Sequence, residues 1–201
     1  GASLVHPGYG FLAENAAFAD ACAGAGLTFV GPSGDSIRLM GSKTAARDAA
    51  MAAGVPVVPG TDAPFAEDVT DETIMRDAER VGFPLVVKAV AGGGGKGMRT
   101  VEAREDLLSA VRTARSEAGS AFGDASVYLE RRVINPRHIE IQLMGDHHGT
   151  VLPFVERECS IQRRHQKVVE ESPSTRVSEK TRRAMAACAA SVARRVGYAN
   201  A

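Results

Sequence analysis

An apolar run that carries a lysine straight into four glycines constrains this chain more than any other feature. Residues Leu85 to Met98 read L-V-V-K-A-V-A-G-G-G-G-K-G-M. The run predicts a strand feeding a loop rich in backbone donors, with Lys88 before it and Lys96 inside it. Glycine lets the main chain approach an anion closely and aim successive N–H groups at it. A spacer between strands would mix in serine and would not need a lysine inside the preceding apolar run. The segment therefore reads as a cover for a polyphosphate.

The residues next to the glycines exclude two familiar phosphate loops. Gly92, Gly94 and Gly97 fit G-x-G-x-x-G, but a dinucleotide site needs a helix opening directly from the loop. Here Gly97-Met98-Arg99-Thr100-Val101 reads as a second strand. A Walker loop needs Ser or Thr after Gly-Lys, and Gly97 follows Lys96. What remains is a glycine hairpin between two strands, lying over phosphates as a flap.

Periodicity and punctuation supply the frame. Helices are predicted over 14–25, over 33–40 with Ser33 or Asp35 as cap, and over 43–53 behind Ser42. Leu27 to Val30 is a short strand. Pro56, Pro59, Gly60 and Pro64 break regular structure and mark a boundary. Helices follow over 69–81 and 103–118, the latter with Leu107, Leu108, Val111 and Ala114 on one face. Strands are predicted over 126–131, 138–144, 151–155 and 166–171, with a turn over 145–149. Ser178 caps a last helix through Arg195.

The glycine hairpin resembles the flap of the ATP-grasp superfamily, and four further blocks resemble biotin carboxylases. They are His6-Pro7-Gly8-Tyr9-Gly10-Phe11-Leu12-Ala13-Glu14-Asn15, Arg38 to Lys43, Asn135 to Glu140, and Glu156 to Glu171. They stand in family order, and the resemblance covers essentially the whole chain. It implies an α+β (α/β) ATP-grasp fold: residues 1–57 ending a Rossmann-like N-terminal lobe and its helical linker, 58–130 a small lid, and 131–201 the start of a C-terminal lobe. Because the family's first βαβ region and its metal-binding glutamates have no counterpart here, the chain reads as an internal slice of a larger enzyme.

The resemblance also implies roles. Lys88 faces the α- and β-phosphates, and Gly94 and Gly95 donate N–H groups to the outer ones. Lys43, at a helix start where the dipole disfavours a cation, contacts ATP. Glu130 and Val133 lie in the hinge that reads adenine through backbone groups. His138 sits beside the nucleotide, Gln162 and His165 lie near the ribose, and Lys167, the candidate catalytic residue, points to the γ-phosphate and bicarbonate. Tyr9 and Gly10 border the biotin site, with His6 expected as a buried structural histidine. His138, Glu140 and Gln142 alternate and so share one strand face. H-x-E is also part of a metal pattern, yet no third ligand stands at a suitable spacing, so no metal ligand is assigned. Cys159 reads as a packed small residue.

Composition excludes several classes. Twenty-four basic and 24 acidic side chains cancel, so no global field attracts nucleic acid or an anionic membrane. Three separated cysteines form neither a zinc pattern nor a disulfide framework, which fits a reducing cytoplasmic setting. No apolar run approaches the length of a membrane span. The expected parent activity is ATP-dependent carboxylation of biotin by bicarbonate, with Mg2+ on the phosphates, biotin on a separate carrier domain and a carboxyltransferase as partner in an oligomer. Val168 to Pro173 resembles the acyl-CoA carboxylase branch. The chain alone is expected to touch nucleotide weakly and not to turn over. Another ATP-grasp ligase, of carbamoyl-phosphate or purine-pathway type, and a non-catalytic assembly fragment remain as alternatives.

Overall fold

The computed structural model describes residues 1–91, 97–163 and 166–200. Their contacts cluster into two units: one formed by 1–57, 137–161 and 168–201, the other by 58–136 and 162–167.

The second unit is built on an antiparallel sheet. Strand β3 (Leu85–Ala89) lies between β4 (Met98–Val101) and β5 (Val127–Arg131). Helices α4 (Asp71–Val81) and α5 (Leu107–Phe122) pack against it. The alternation of β3 explains the arrangement. Leu85, Val87 and Ala89 are buried in the core with Ile74, Ala78, Val111, Ala114, Val127 and Leu129. Val86 and Lys88 point to the opposite face, since successive side chains alternate across a sheet. The residue that most needs solvent is thereby placed on the sheet face away from the helices.

In the first unit, β1 (Leu4–Val5) and β2 (Thr28–Phe29) are parallel and joined through α1 (Ala16–Gly24). Helices α2 (Gly34–Gly41) and α3 (Lys43–Ala52) follow. The remainder holds the hairpin β7 (Leu143–Gly145) and β8 (Val151–Pro153), and a sheet in which β9 (Arg157–Arg163) lies between β6 (Ile139–Glu140) and β10 (Gln166–Glu171), residues 162–163 and 166–167 of those strands clustering with the second unit. Helix α6 (Glu179–Arg195) packs Ala190 and Ala193 on Val151.

Capping sets the helix starts. Asn15, Ser33, Ser42, Thr70 and Ser178 each accept a hydrogen bond from the backbone N–H three residues on, a contact worth about 1 kcal/mol. Ser33, not Asp35, is therefore the cap of α2. Asn15 delays α1 to Ala16, behind a short 3-10 turn at Phe11–Glu14. Helix α5 starts later than expected and runs past Ala118 to Phe122, where Gly123 takes a left-handed conformation and closes it.

Two strand expectations need correction. Residues 138–144 do not form one strand: pairing stops after Glu140, and Gln142 uses its carbonyl to accept from Phe154 and its side-chain amide to cap Leu143. Strand β9 is absent from the sequence-based prediction because charge stands at a buried position in it and at another just before it. Glu156, just before it, and Glu158 are both buried, which inverts the alternation that marks a strand.

Candidate functional site

Lys88 and Glu130 are the centre of the candidate site in the second unit. Register pairs Lys88 with Tyr128 and Val86 with Glu130, so all four side chains share the sheet face away from the helices. The Lys88 ammonium donates to the Glu130 carboxylate on the diagonal between strands. Both groups are mostly buried, with side chains 28% and 20% exposed. The family resemblance offers Glu130 only as an adenine-contact position. Its salt bridge becomes visible only once the register of β3 against β5 is fixed.

The chain around Glu130 is built for close approach. A Cβ at Gly60 would lie 2.7 Å from the Leu129 carbonyl oxygen and 3.2 Å from Glu130 Cγ. Gly60 thus lets the 59–65 segment pair with β5, through Thr61 N–H to Leu129 C=O at 2.9 Å and Arg131 N–H to Pro59 C=O at 2.7 Å. Arg132 N–H goes to Pro84 C=O at 2.9 Å. Beyond that point Val133 is 52% exposed, and among the described residues no hydrogen bond engages its N–H.

At the other end of β3, Ala89 N–H donates to Gly97 C=O at 3.0 Å and closes the hairpin. Gly97 has φ +71°, and a Cβ on it would meet Ala89 Cβ at 2.8 Å. Only glycine suits both conditions. The assignments to Gly94 and Gly95, and Lys96 beside them, lie outside the described residues, as does that to His165. Gln162, half-buried on β9, and Lys167, exposed on β10, belong to the same unit as Lys88.

The first unit holds Lys43 and His138. Lys43 is the first residue of α3, exposed, directly after the Ser42 cap. His138 donates its N–H to Ser160 Oγ at 3.0 Å, and its Nε2 lies 3.4 Å from Glu140 Oε2. Arg157 forms ion pairs with Glu140 and, at 3.1 Å, with Glu170. Glu140, Cys159 and Glu170 bring ligand atoms within 4.8 Å of one another. A guanidinium already stands between the two carboxylates, so this cluster reads as an ion-pair network. Cys159 is fully buried, in keeping with a packing role.

His6 departs from expectation. It is exposed rather than buried, and its Nδ1 accepts the Gly8 N–H at 3.1 Å. The imidazole therefore pins the turn that follows β1, where Gly8 and Gly10 have positive φ. Tyr9 projects from that turn, 96% exposed. A cavity of about 490 Å³ lies at the carboxyl ends of β1 and β2, lined by His6, Gly8, Pro32, His147 and His148 among others.

Sequence reasoning missed a buried ionic network in the first unit. Glu156 is fully buried and accepts from Arg182 Nε at 2.6 Å, from Arg182 Nη2 at 2.8 Å and from Ser174 N–H at 3.2 Å. The Arg182 hydrogen bonds hold its carboxyl well below the ordinary range, at about 2. Glu158 accepts from Ser174 Oγ and from Arg137, and both lower its pKa. The signal in the sequence was Glu-Arg-Glu at alternate positions in a stretch otherwise able to form a strand. Its partners, Ser174 and Arg182, carry no local mark.

Known proteins are similar to this chain over nearly all of its length. Residues 42–201 match the family described as carbamoyl-phosphate synthase L chain, ATP binding domain, and residues 1–37 match biotin carboxylase, N-terminal domain. The biotin carboxylase of Pseudomonas aeruginosa is 48% identical over 98% of this chain and 44% of its own length. The pyruvate carboxylase 1 of Caenorhabditis elegans is 50% identical over 98% of the chain and 16% of its own length. A crystal structure of a Campylobacter jejuni biotin carboxylase–β,γ-ATP complex superposes with TM-score 0.89 at 46% identity, covering 98% of this chain and 44% of that one. The biotin carboxylase domain dimer of Hydrogenobacter thermophilus 2-oxoglutarate carboxylase, in complex with MgADP, ADP and bicarbonate, gives 0.87 at 43% identity, covering 98% of this chain and 43% of that one. The chain thus spans less than half the length of these relatives.

Proposed function

Because this chain belongs to the carbamoyl-phosphate synthase L chain ATP-binding family, in the ATP-grasp form found in biotin carboxylases, we propose that the protein it represents carboxylates biotin with ATP and bicarbonate. The match of residues 1–37 to a biotin carboxylase N-terminal domain favours this over a carbamoyl-phosphate or purine-pathway ligase.

The chemistry is a phosphoryl transfer followed by a carboxyl transfer. A bicarbonate oxygen attacks the γ-phosphorus and ADP leaves, giving carboxyphosphate. Breakdown of that intermediate yields CO2 and phosphate. The phosphate takes the N1 proton of biotin, and N1 adds to CO2. Such a transfer depends on positioning and on offsetting negative charge. Lys88 and Lys43 supply cations for the phosphates, with Gly94 and Gly95 as flap donors. Lys167 offsets charge on the γ-phosphate and bicarbonate side. Glu130 and Val133 frame adenine through their main-chain groups, not their side chains, while His138, Gln162 and His165 flank the nucleoside.

The described residues of this chain do not themselves fit a magnesium ion. That ion takes hard oxygen ligands, whereas the clustered ligands here include the Cys159 sulfur and two carboxylates already paired to Arg157. The family resemblance implies that most ligands of the metal stand outside this chain. Biotin arrives on a carrier domain, and a carboxyltransferase passes the carboxyl group on in an oligomeric, cytoplasmic complex. The Val168 to Pro173 segment favours an acyl-CoA acceptor.

The observation that carries this reading is the placement of Lys88 on the face of β3 away from the helices, beside a glycine hairpin closed by Ala89 and Gly97. The test is biotin-dependent ATP hydrolysis. The whole enzyme turns over and its Lys88→Met variant loses at least tenfold in kcat/KM for ATP. The 201-residue chain binds ATP weakly and gives no turnover. Robust turnover by the chain alone, or an unaffected Lys88→Met enzyme, overturns the assignment.

A further inference from the structure

We propose that Glu130 is a positioning residue: its carboxylate tethers the Lys88 ammonium at the place where the nucleotide's phosphates will meet it. This rests on the ATP reading given above and adds a role to it. The two side chains lie on the sheet face away from the helices, on neighbouring strands, one register step apart. Lys88 has Tyr128 and Met98 directly opposite, with Glu130 and Thr100 on the diagonals. Among the described cross-strand neighbours Glu130 alone carries a charge, and it is the group that holds the ammonium.

The tether is itself held. Glu130 is the next-to-last residue of β5 and bridges Gly60 on its other side. The absent Gly60 side chain leaves room for Glu130 Cγ, 3.2 Å from where a Cβ would stand. Arg131 locks the following residue by donating from Nε to the Val81 carbonyl at 2.8 Å. A short acidic side chain on a fixed strand end thus restrains a long basic one.

Two effects oppose each other. The carboxylate cancels part of the lysine's attraction for phosphate. It also removes the rotational freedom of a four-carbon stem before ligand arrives. An ammonium has three donors, so one can stay on Glu130 while two turn to phosphate oxygens. The entropy of ordering a lysine side chain corresponds to about tenfold in affinity. Both groups are already largely withdrawn from water, which leaves little further desolvation to offset. Positioning therefore outweighs neutralisation, and loss of the carboxylate weakens binding of ATP.

The test is calorimetric titration of the whole enzyme with ATP and with adenosine, for the parent sequence, Lys88→Met, Glu130→Gln and the double variant. The expected result is that Glu130→Gln weakens ATP about tenfold, Lys88→Met weakens it at least as much, and the double variant is no weaker than Lys88→Met alone. Adenosine binding stays unchanged in all three. Thermal melts confirm folding, and Glu130→Asp, which keeps the charge but loses reach, serves if the glutamine variant unfolds; it should weaken ATP without weakening adenosine. The proposal is overturned if the two substitutions add, if ATP binds more tightly without Glu130, or if adenosine weakens as much as ATP, which would make Glu130 a base contact. A whole enzyme of parent sequence that binds no ATP refutes the ATP reading itself, an outcome distinct from the three that overturn the tether.

Discussion

Substituting Glu156 by glutamine tests how the first unit is held together. Glu156 is fully buried and bonded to both Arg182 and Ser174. Its pKa falls from 4.5 to about 2, chiefly through the Arg182 hydrogen bonds. Each pH unit of such a fall is worth about 1.4 kcal/mol, giving an upper bound of about 3–4 kcal/mol. Arg182 is a quarter exposed, so solvent screening reduces this to about 1–2 kcal/mol. The sign follows from the direction. A carboxyl whose folded pKa is depressed contributes its full stability above the unfolded value of 4.5, and that contribution is lost as pH falls toward 2. Glutamine keeps the shape but has no charge to lose. Urea unfolding followed by circular dichroism at pH 7 and at pH 3 should show the parent sequence losing about 1–2 kcal/mol more than Glu156→Gln over that interval. Glu158 and Glu179, also depressed, share Ser174 and Arg182 with Glu156, so the difference reports the network that Glu156 anchors. Equal losses in the two proteins would refute the claim that an ion pair joins the chain entering β9 to α6.

Other substitutions probe the second unit and its site. Leu129→Ala removes a fully buried side chain from the core and should cost about 2–5 kcal/mol, read as earlier hydrogen exchange of β3 and β5. Gly97→Ala forces a positive φ and a close contact with Ala89, so it should lower the thermal midpoint and weaken ATP more than adenosine. Gly60→Ala presses on the Leu129 carbonyl and Glu130 Cγ; ATP affinity should fall toward that of Lys88→Met, and unchanged affinity would dissociate Gly60 from the Glu130 tether.

What the sequence disclosed divides along physical lines. The strand–glycine–strand pattern around Lys88 was readable because all its determinants are local: an apolar run, a lysine at an outward position, and glycines whose φ freedom has no substitute. The caps Ser33, Ser42 and Ser178 were readable for the same reason, since each acts on an N–H three residues away. Glu130 as the partner of Lys88 was not, because a diagonal contact between residues 42 positions apart depends on register. Periodicity can say that 85–89 and 127–131 are strands, but a one-residue slip would turn Glu130 to the opposite face.

The buried carboxylates show the deeper reason for the misses. Hydrophobic alternation finds strands by assuming that whatever faces inward is apolar, and β9 breaks that assumption at Glu158 just as Glu156 does at its threshold. Burying a carboxylate alone would cost several kcal/mol, so a sequence scan rightly treats such a stretch as exposed. The assumption fails only where a distant segment brings compensating donors. Ser174 and Arg182, 18 and 26 residues beyond Glu156, do that here. The inward face of β9 is therefore determined jointly by the strand and by the chain that returns to it, and no window short enough to detect a strand contains both.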